Sequence, residues 1–307
     1  MNLSLSLTCN RLKFGLFDSG VGGLSVLIEL VQLLNGYEFT NHPEIHYLAD
    51  TARCPYGTKS DAEIIDYVFQ IASWFKQNDV NNLVMACNTS AAIAANKLRI
   101  MSDMPVYDLI GLSSNQDLAK YSKIMVLATN ATVNSKAFTQ ALLKQEPNLE
   151  IFEIACPELV MLVESGNFDT NDARQILKKY ADLAIRQNCQ AIILGCTHFP
   201  FLTNALVKLL PSNIDIINPA KYLAREISQN LQLANVVNRK GQNCVLKFYT
   251  TGNSDQFKLQ LKQCLNLAIN HVEFIDLNYL EQLSSISNEL NSAFINNINV
   301  TPKFAVS

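Results

Sequence analysis

Cys87 and Cys196 each stand directly after an apolar run and directly before a short polar turn. The first run reads Leu83-Val84-Met85-Ala86-Cys87-Asn88-Thr89-Ser90, the second Ala191-Ile192-Ile193-Leu194-Gly195-Cys196-Thr197-His198. An apolar run of this length, bounded by turn residues, predicts a buried parallel strand. Open α/β sheets assemble their sites just beyond the carboxyl ends of such strands. A thiol at each of two strand ends suits one kind of chemistry: one sulfur takes a proton from a carbon centre and the other returns a proton to the opposite face. The thiolate is the useful species, and backbone N–H groups at a helix N-terminus favour it; both cysteines are expected in that setting. A cysteine taken singly is more often a small buried hydrophobe. Matched positions, followed by Asn-Thr and Thr-His, reverse that preference here, while the other six of the eight cysteines keep it.

The neighbours of the thiols extend the same site. Asn88, Thr89 and Thr197 place hydroxyls and backbone N–H groups where an anion can bind, besides serving as helix caps. Asp18-Ser19-Gly20-Val21-Gly22-Gly23 lacks both the G-x-G-x-x-G spacing and the Lys of a phosphate loop. Its small residues would let backbone approach a small ligand, and Asp18 either binds an ammonium and influences a thiol or simply caps a helix. Pro55-Tyr56-Gly57 reads as a turn whose N–H groups and phenol suit a second carboxylate, with Thr129 and Thr132 facing the same cleft from the other half. His198 is the one histidine placed for acid–base work near neutral pH; His42, His46 and His271 are assigned no role. Cys196 and His198 are two positions apart with no second ligand pair at zinc spacing, so no metal site is expected.

The elements that position these residues repeat. A strand (12–17), a helix (24–34), a strand (45–49), a helix (61–77), the Cys87 strand and a helix (90–101) are followed by a strand (123–127), a strand (150–154), a helix (170–187) and the Cys196 strand. Asp18 to Thr129 is 111 positions, Ile45 to Ile151 is 106 and Cys87 to Cys196 is 109. Three near-constant offsets in one order predict two pseudo-symmetric parallel-sheet α/β domains with the active site in the cleft between them. The chain is expected to cross between them at 104–113 and again at 214–221. A helix (222–233), a polar turn (238–243), a strand (245–250), a helix (255–265) and a strand (271–275) then return to the first sheet. The domains are accordingly 1–108 with 218–307, and 109–217. The Asn- and Ser-rich tail from Ser284 is weakly patterned, and a helix with a mobile end is expected there.

Composition narrows the function classes. The 307 residues are 49% hydrophobic and 17% charged, with a net charge of -3, which is globular and core-rich. No basic run or basic–aromatic interleaving points to nucleic acid as a main partner. No stretch nears the ~18 apolar residues of a membrane span, and Met1 to Cys9 carries no basic leader, so a cytoplasmic protein is expected. Scattered cysteines without a C-x-x-C pair argue against a thiol redox protein.

Four motifs together resemble glutamate racemase, of the aspartate/glutamate racemase family: Phe17-Asp18-Ser19-Gly20-Val21-Gly22-Gly23-Leu24-Ser25; Ala49-Asp50-Thr51-Ala52-Arg53 with Pro55-Tyr56-Gly57; Ala86-Cys87-Asn88-Thr89; and Leu194-Gly195-Cys196-Thr197-His198-Phe199-Pro200. Leu127-Ala128-Thr129 with Thr132, and Ala155-Cys156-Pro157 with Val163-Glu164, match more weakly. The resemblance runs from about Phe14 to Glu226. It implies cofactor-independent interconversion of L- and D-glutamate, supplying D-glutamate for bacterial cell walls, and a homodimer. Cys87 would act on D-glutamate and Cys196 on L-glutamate, with Asp18, Glu164 and His198 assisting. Ser19, Pro55, Tyr56, Gly57, Asn88, Thr89, Thr129, Thr132 and Thr197 match substrate contacts. The chain departs from the family pattern at Tyr107-Asp108-Leu109-Ile110-Gly111-Leu112 and at Asn218-Pro219, both at the expected crossings. An aspartate racemase and a catalytically silent amino-acid-binding protein are the alternatives.

Overall fold

The computed structural model describes residues 12–37, 39, 41–111, 118–166, 170–231, 244–266 and 269–277. The expected turn at 238–243 and the tail from Ser284 lie outside them. Two parallel sheets organise the chain. The first has strand order β10-β9-β2-β1-β3-β4, built from β1 (Lys13–Asp18), β2 (Glu44–Ala49), β3 (Asn82–Met85), β4 (Val106–Asp108), β9 (Val245–Thr250) and β10 (Glu273–Phe274). The second has order β6-β5-β7-β8, from β5 (Lys123–Ala128), β6 (Glu150–Ala155), β7 (Ala191–Gly195) and β8 (Asp215–Ile217). The run β2-β1-β3-β4 has the same order as β6-β5-β7-β8, which is the internal repeat drawn in strands. The last two strands join the edge of the first sheet.

The central strands are apolar throughout because helices cover both of their faces. Phe14 and Leu16 of β1 face one core with Leu24, Leu27 and Leu30 of α1 (Leu24–Leu34), while Phe17 faces the other with Ile64, Val68 and Phe75 of α2 (Asp61–Gln77). In the second sheet Met125 and Leu127 of β5 lie on the first side and Ile124 and Val126 on the second. This alternation is the two-residue period of a strand. α2 starts where Ser60 and Glu63 form a capping box.

The structure adds elements at the two expected crossings. β4 and β8 are three-residue edge strands, and each extends its sheet by one. Runs this short carry no readable period, and the Pro105 and Pro219 beside them read as breakers. Four helices also escaped the sequence reading: α4 (Asn130–Ser135), α5 (Ala137–Gln145), α6 (Pro157–Glu164) and α8 (Thr203–Val207). The remaining helices are α3 (Asn88–Met101), α7 (Asn171–Arg186), α9 (Pro219–Asn230) and α10 (Ser254–Leu265). No helix among the described residues is long and apolar enough to cross a membrane.

Candidate active site

Cys87 leaves the end of β3 and is itself the N-cap of α3, with φ -134° and ψ 115°. The helix begins two residues earlier than the sequence suggested. The thiol is 5% exposed, and its surroundings correct the expectation of an easily formed thiolate. Burial pushes it up to about 12, the Asp18 carboxylate pushes the same way, and the Ser90 backbone N–H works against them. A few aligned N–H groups do not outweigh the removal of an anion from water.

Cys196 follows β7, but the chain then makes a 3₁₀ turn, Phe199–Leu202, before the short α8. Its setting therefore differs from that of Cys87. His198 takes the place of the helix dipole: its Nδ1 lies 3.5 Å from Cys196 Sγ, and its Nε2 lies 2.6 Å from Glu164 Oε1. Burial opposes a charged ring, yet the Cys196 sulfur and Glu164 hold His198 well above the usual imidazole value. Burial likewise works against the Glu164 charge, and the hydrogen bond and charge of His198 still keep that carboxyl below its usual range. Both partners thus favour the protonated form of the ring, in which each nitrogen is a donor. Cys196, His198 and Glu164 form a chain of sulfur, imidazole and carboxylate.

Asp18, at the carboxyl end of β1, sits between the two arms. Its Oδ2 accepts from Thr197 Oγ1 at 2.9 Å and its Oδ1 from the Gly20 N–H at 2.7 Å. Burial pushes its carboxyl up, against the pull of the His198 charge. The glycines after Asp18 turn out to serve the protein's own side chains. A Cβ at Gly20 would stand 2.3 Å from Glu164 Oε1, and one at Gly22 would stand 2.4 Å from His198 Nδ1. The Val21 N–H donates to Glu164 Oε1 at 3.2 Å, and Ser25 Oγ donates to the Thr197 carbonyl at 2.8 Å. The loop is small so that α6 and the Cys196 turn can close on it.

Both thiols open onto one cavity of 190 Å³ between the sheets. That is small beside the roughly 300–1,000 Å³ of drug-sized sites, and suits a compact ligand. Of the residues expected from sequence, Ser19, Pro55, Tyr56 and Gly57 line it from the first half together with Cys87, Asn88 and Thr89. Thr129, Cys196, Thr197 and His198 line it from the second. Asp18, Glu164 and Thr132 stand one layer back. Thr132 Oγ1 is 3.0 Å from Thr129 Oγ1, which is 2.9 Å from Thr89 Oγ1, so a hydroxyl cluster bridges the halves. Among the described residues Asn88 Oδ1 is buried without a hydrogen-bond partner, an acceptor matched to a ligand N–H. The Tyr56 hydroxyl donates to Asp50, so the phenol contributes wall rather than a proton. Asp50 also accepts from Arg53 Nε at 2.7 Å and Thr251 Oγ1 at 2.8 Å, which anchors the turn. The sequence reading missed Thr58, Asn130, Pro157, Val160 and Met161 in the lining. The signal for the last two was Pro157 at the first turn of a helix, with Val160 and Val163 three apart.

Residues 18–227 match the family model described as Asp/Glu/Hydantoin racemase. The chain belongs to that family. Within it, the glutamate racemase of Prochlorococcus marinus (strain NATL1A) is 36% identical over 257 residues, covering 83% of this chain and 94% of that one. A crystal structure of a glutamate racemase from Bacillus anthracis superposes with a TM-score of 0.78 at 31% identity, covering 87% of this chain and 98% of that one. The Francisella tularensis glutamate racemase, solved in complex with D-glutamate, gives a TM-score of 0.76 at 30% identity, covering 88% and 99%. As a member of the racemase family, the chain has two parallel-sheet halves like those of these structures, and the matched segment spans both thiols.

Proposed function

We propose that this chain interconverts L- and D-glutamate by proton transfer at the α-carbon between Cys87 and Cys196. The observation that carries the reading is the pair of unbonded thiols that leave matched strands of two repeated halves and open onto one small cavity. The sulfur on one side, as thiolate, takes the α-proton. The electron pair stays on carbon and spreads into the carboxylate, and the opposite thiol gives its proton to the other face. Cys196 acts on L-glutamate with His198 and Glu164 behind it; Cys87 acts on D-glutamate with Asp18 behind it. The carbanion is the difficult species, and fixed donors in a closed cleft must stabilise it. The N–H groups at the start of α3, with Thr89 and Thr129, supply donors to a carboxylate. The buried Asn88 Oδ1 supplies an acceptor to the ammonium. Transfer requires each sulfur within about 3–3.5 Å of the α-carbon, which leaves no room for a disulfide.

Glutamate is favoured over aspartate because relatives sharing over a third of their residues with most of this chain are named glutamate racemases. In this reading the domains are 1–108 with 218–307, and 109–217; the enzyme is a homodimer in the cytoplasm and supplies D-glutamate for peptidoglycan. Exchange of the α-proton in D₂O, followed by NMR, tests the chemistry. The wild type exchanges the α-proton of both enantiomers, while Cys87→Ser and Cys196→Ser each lose exchange or become one-sided. Exchange with aspartate alone would move the chain to the sister activity, and tight binding without exchange would make it a binding protein.

A further inference from the structure

The His198–Glu164 pair has a third member that comes from a distant part of the chain. Gln260, on α10, donates from Nε2 to Glu164 Oε2 at 3.1 Å and to the Glu164 carbonyl at 3.3 Å. Glu164 ends α6, next to the second sheet. α10 follows β9 of the first sheet, and Val21, which holds the other Glu164 oxygen, follows β1. Both carboxylate oxygens are thus gripped from the first half, while the ring they orient belongs to the second. Behind Glu164 lies a separate cavity of 140 Å³, lined on one side by Gln256, Phe257 and Gln260. Without the amide, that side of the carboxylate would be free to rotate toward the cavity.

We infer that Gln260 is a positioning residue for the Cys196 arm: with the Val21 N–H it locks Glu164 against His198 only when the two halves are docked, so that Cys196 is primed by closure. This rests on the two-thiol reading above. The Cys87 arm does not share this glutamine: the Asp18 behind it is held across the halves by Thr197 instead, so the two arms should respond differently when the Gln260 contact is cut.

The test is Gln260→Met, which keeps length and removes the donor, assayed with glutamate deuterated at the α-carbon. A racemase has an equilibrium constant of one, so kcat/KM must fall equally in both directions. We expect a fall of about tenfold, the usual effect of losing a hydrogen bond to a charged group. The isotope effects are not bound to move together. Slowing the Cys196 step raises the effect for deuterated L-glutamate, whose bond Cys196 breaks, and lowers the effect for deuterated D-glutamate toward unity. Gln260→Glu is the second variant. It sets a carboxylate against Glu164, whose other titratable neighbours are His198, Asp18, Cys54, Cys264 and Tyr47. Its activity relative to wild type should recover as the pH falls and the two carboxyls share a proton, which also serves if Gln260→Met folds poorly. An active wild type whose Gln260→Met variant shows unchanged or symmetric isotope effects, or a Gln260→Glu variant with no recovery at low pH, overturns the role of Gln260 alone. A wild type that exchanges no α-proton of glutamate overturns the two-thiol reading, and the role of Gln260 with it.

Discussion

A methyl group at Gly22 would stand 2.4 Å from His198 Nδ1 and 2.6 Å from Thr197 Oγ1. Neither neighbour is a free chain end: His198 is held by Glu164, and Thr197 by Asp18. Gly22→Ala must therefore displace the imidazole from the sulfur. A shift of about 1 Å in a catalytic group can cost on the order of 100-fold in rate, and that is the expected fall in kcat/KM. Gly111→Ala is the control, because among the described residues a Cβ there meets nothing within 4 Å; it should leave turnover unchanged. Steady-state racemisation of the two variants checks the claim. The sequence displayed these glycines, and the structure adds a reason for them that the sequence reading did not contain. A run of small residues after a strand says that something approaches closely. It does not say whether that is a ligand or another part of the chain, and here Glu164 lies 143 positions from the Val21 N–H that it accepts.

Among the elements, helix α2 was legible almost to the residue. Its apolar positions recur at helical spacing, and Ser60 with Glu63 marks its start. The Ser60 hydroxyl accepts from the Glu63 N–H at 3.3 Å, and Glu63 Oε2 accepts from the Ser60 N–H at 2.9 Å. Ser60→Ala should lower unfolding stability by about 1 kcal/mol, measured in urea, with racemisation untouched because the cap lies outside the cavity. α6 was not legible, although it carries Glu164 and three cavity residues. It has eight residues, too few for a period to stand out, and what holds it is contact with elements distant in sequence. β4 and β8 failed for the same reason. Long elements buried along a whole face can be read from sequence; short ones that exist because a neighbour needs an edge cannot.

For the whole molecule, the repeat offsets were enough to give two parallel sheets, because duplicated halves bury equivalent runs. How the halves meet was not readable. Besides apolar packing, the contact includes single polar pairs: Thr89 with Thr129, Thr197 with Asp18 and Ser25, and Glu164 with Val21 and Gln260. The Glu164–His198 pair, which stands at this contact, makes stability depend on pH in a defined window. Glu164 is held below its usual value of 4.5, so its contribution is present above 4.5 and fades as pH falls below it. His198 is held above its usual 6.5, so its contribution is complete below 6.5 and fades as pH rises through the folded value. Wild type should exceed Glu164→Gln in unfolding free energy by the largest margin between pH 4.5 and 6.5. The margin should narrow below this window and again above it, and a margin that narrows on neither side would show that the pair adds nothing.

The shared order of β2-β1-β3-β4 and β6-β5-β7-β8 has a geometric meaning for this chemistry. A chain built from residues of one handedness has no mirror plane, yet the two enantiomers of an amino acid are mirror images. What they share is the flattened carbanion between them, and its two faces are exchanged by a half-turn about an axis lying in its plane. A rotation is an operation that a homochiral polymer can approximate by repeating itself. In the proposed reaction, two copies of one half-fold present a sulfur to either face and so would do by duplication what reflection forbids. The differences between the copies, a buried aspartate behind one sulfur and a histidine–glutamate pair behind the other, are the amount by which the molecule falls short of that symmetry.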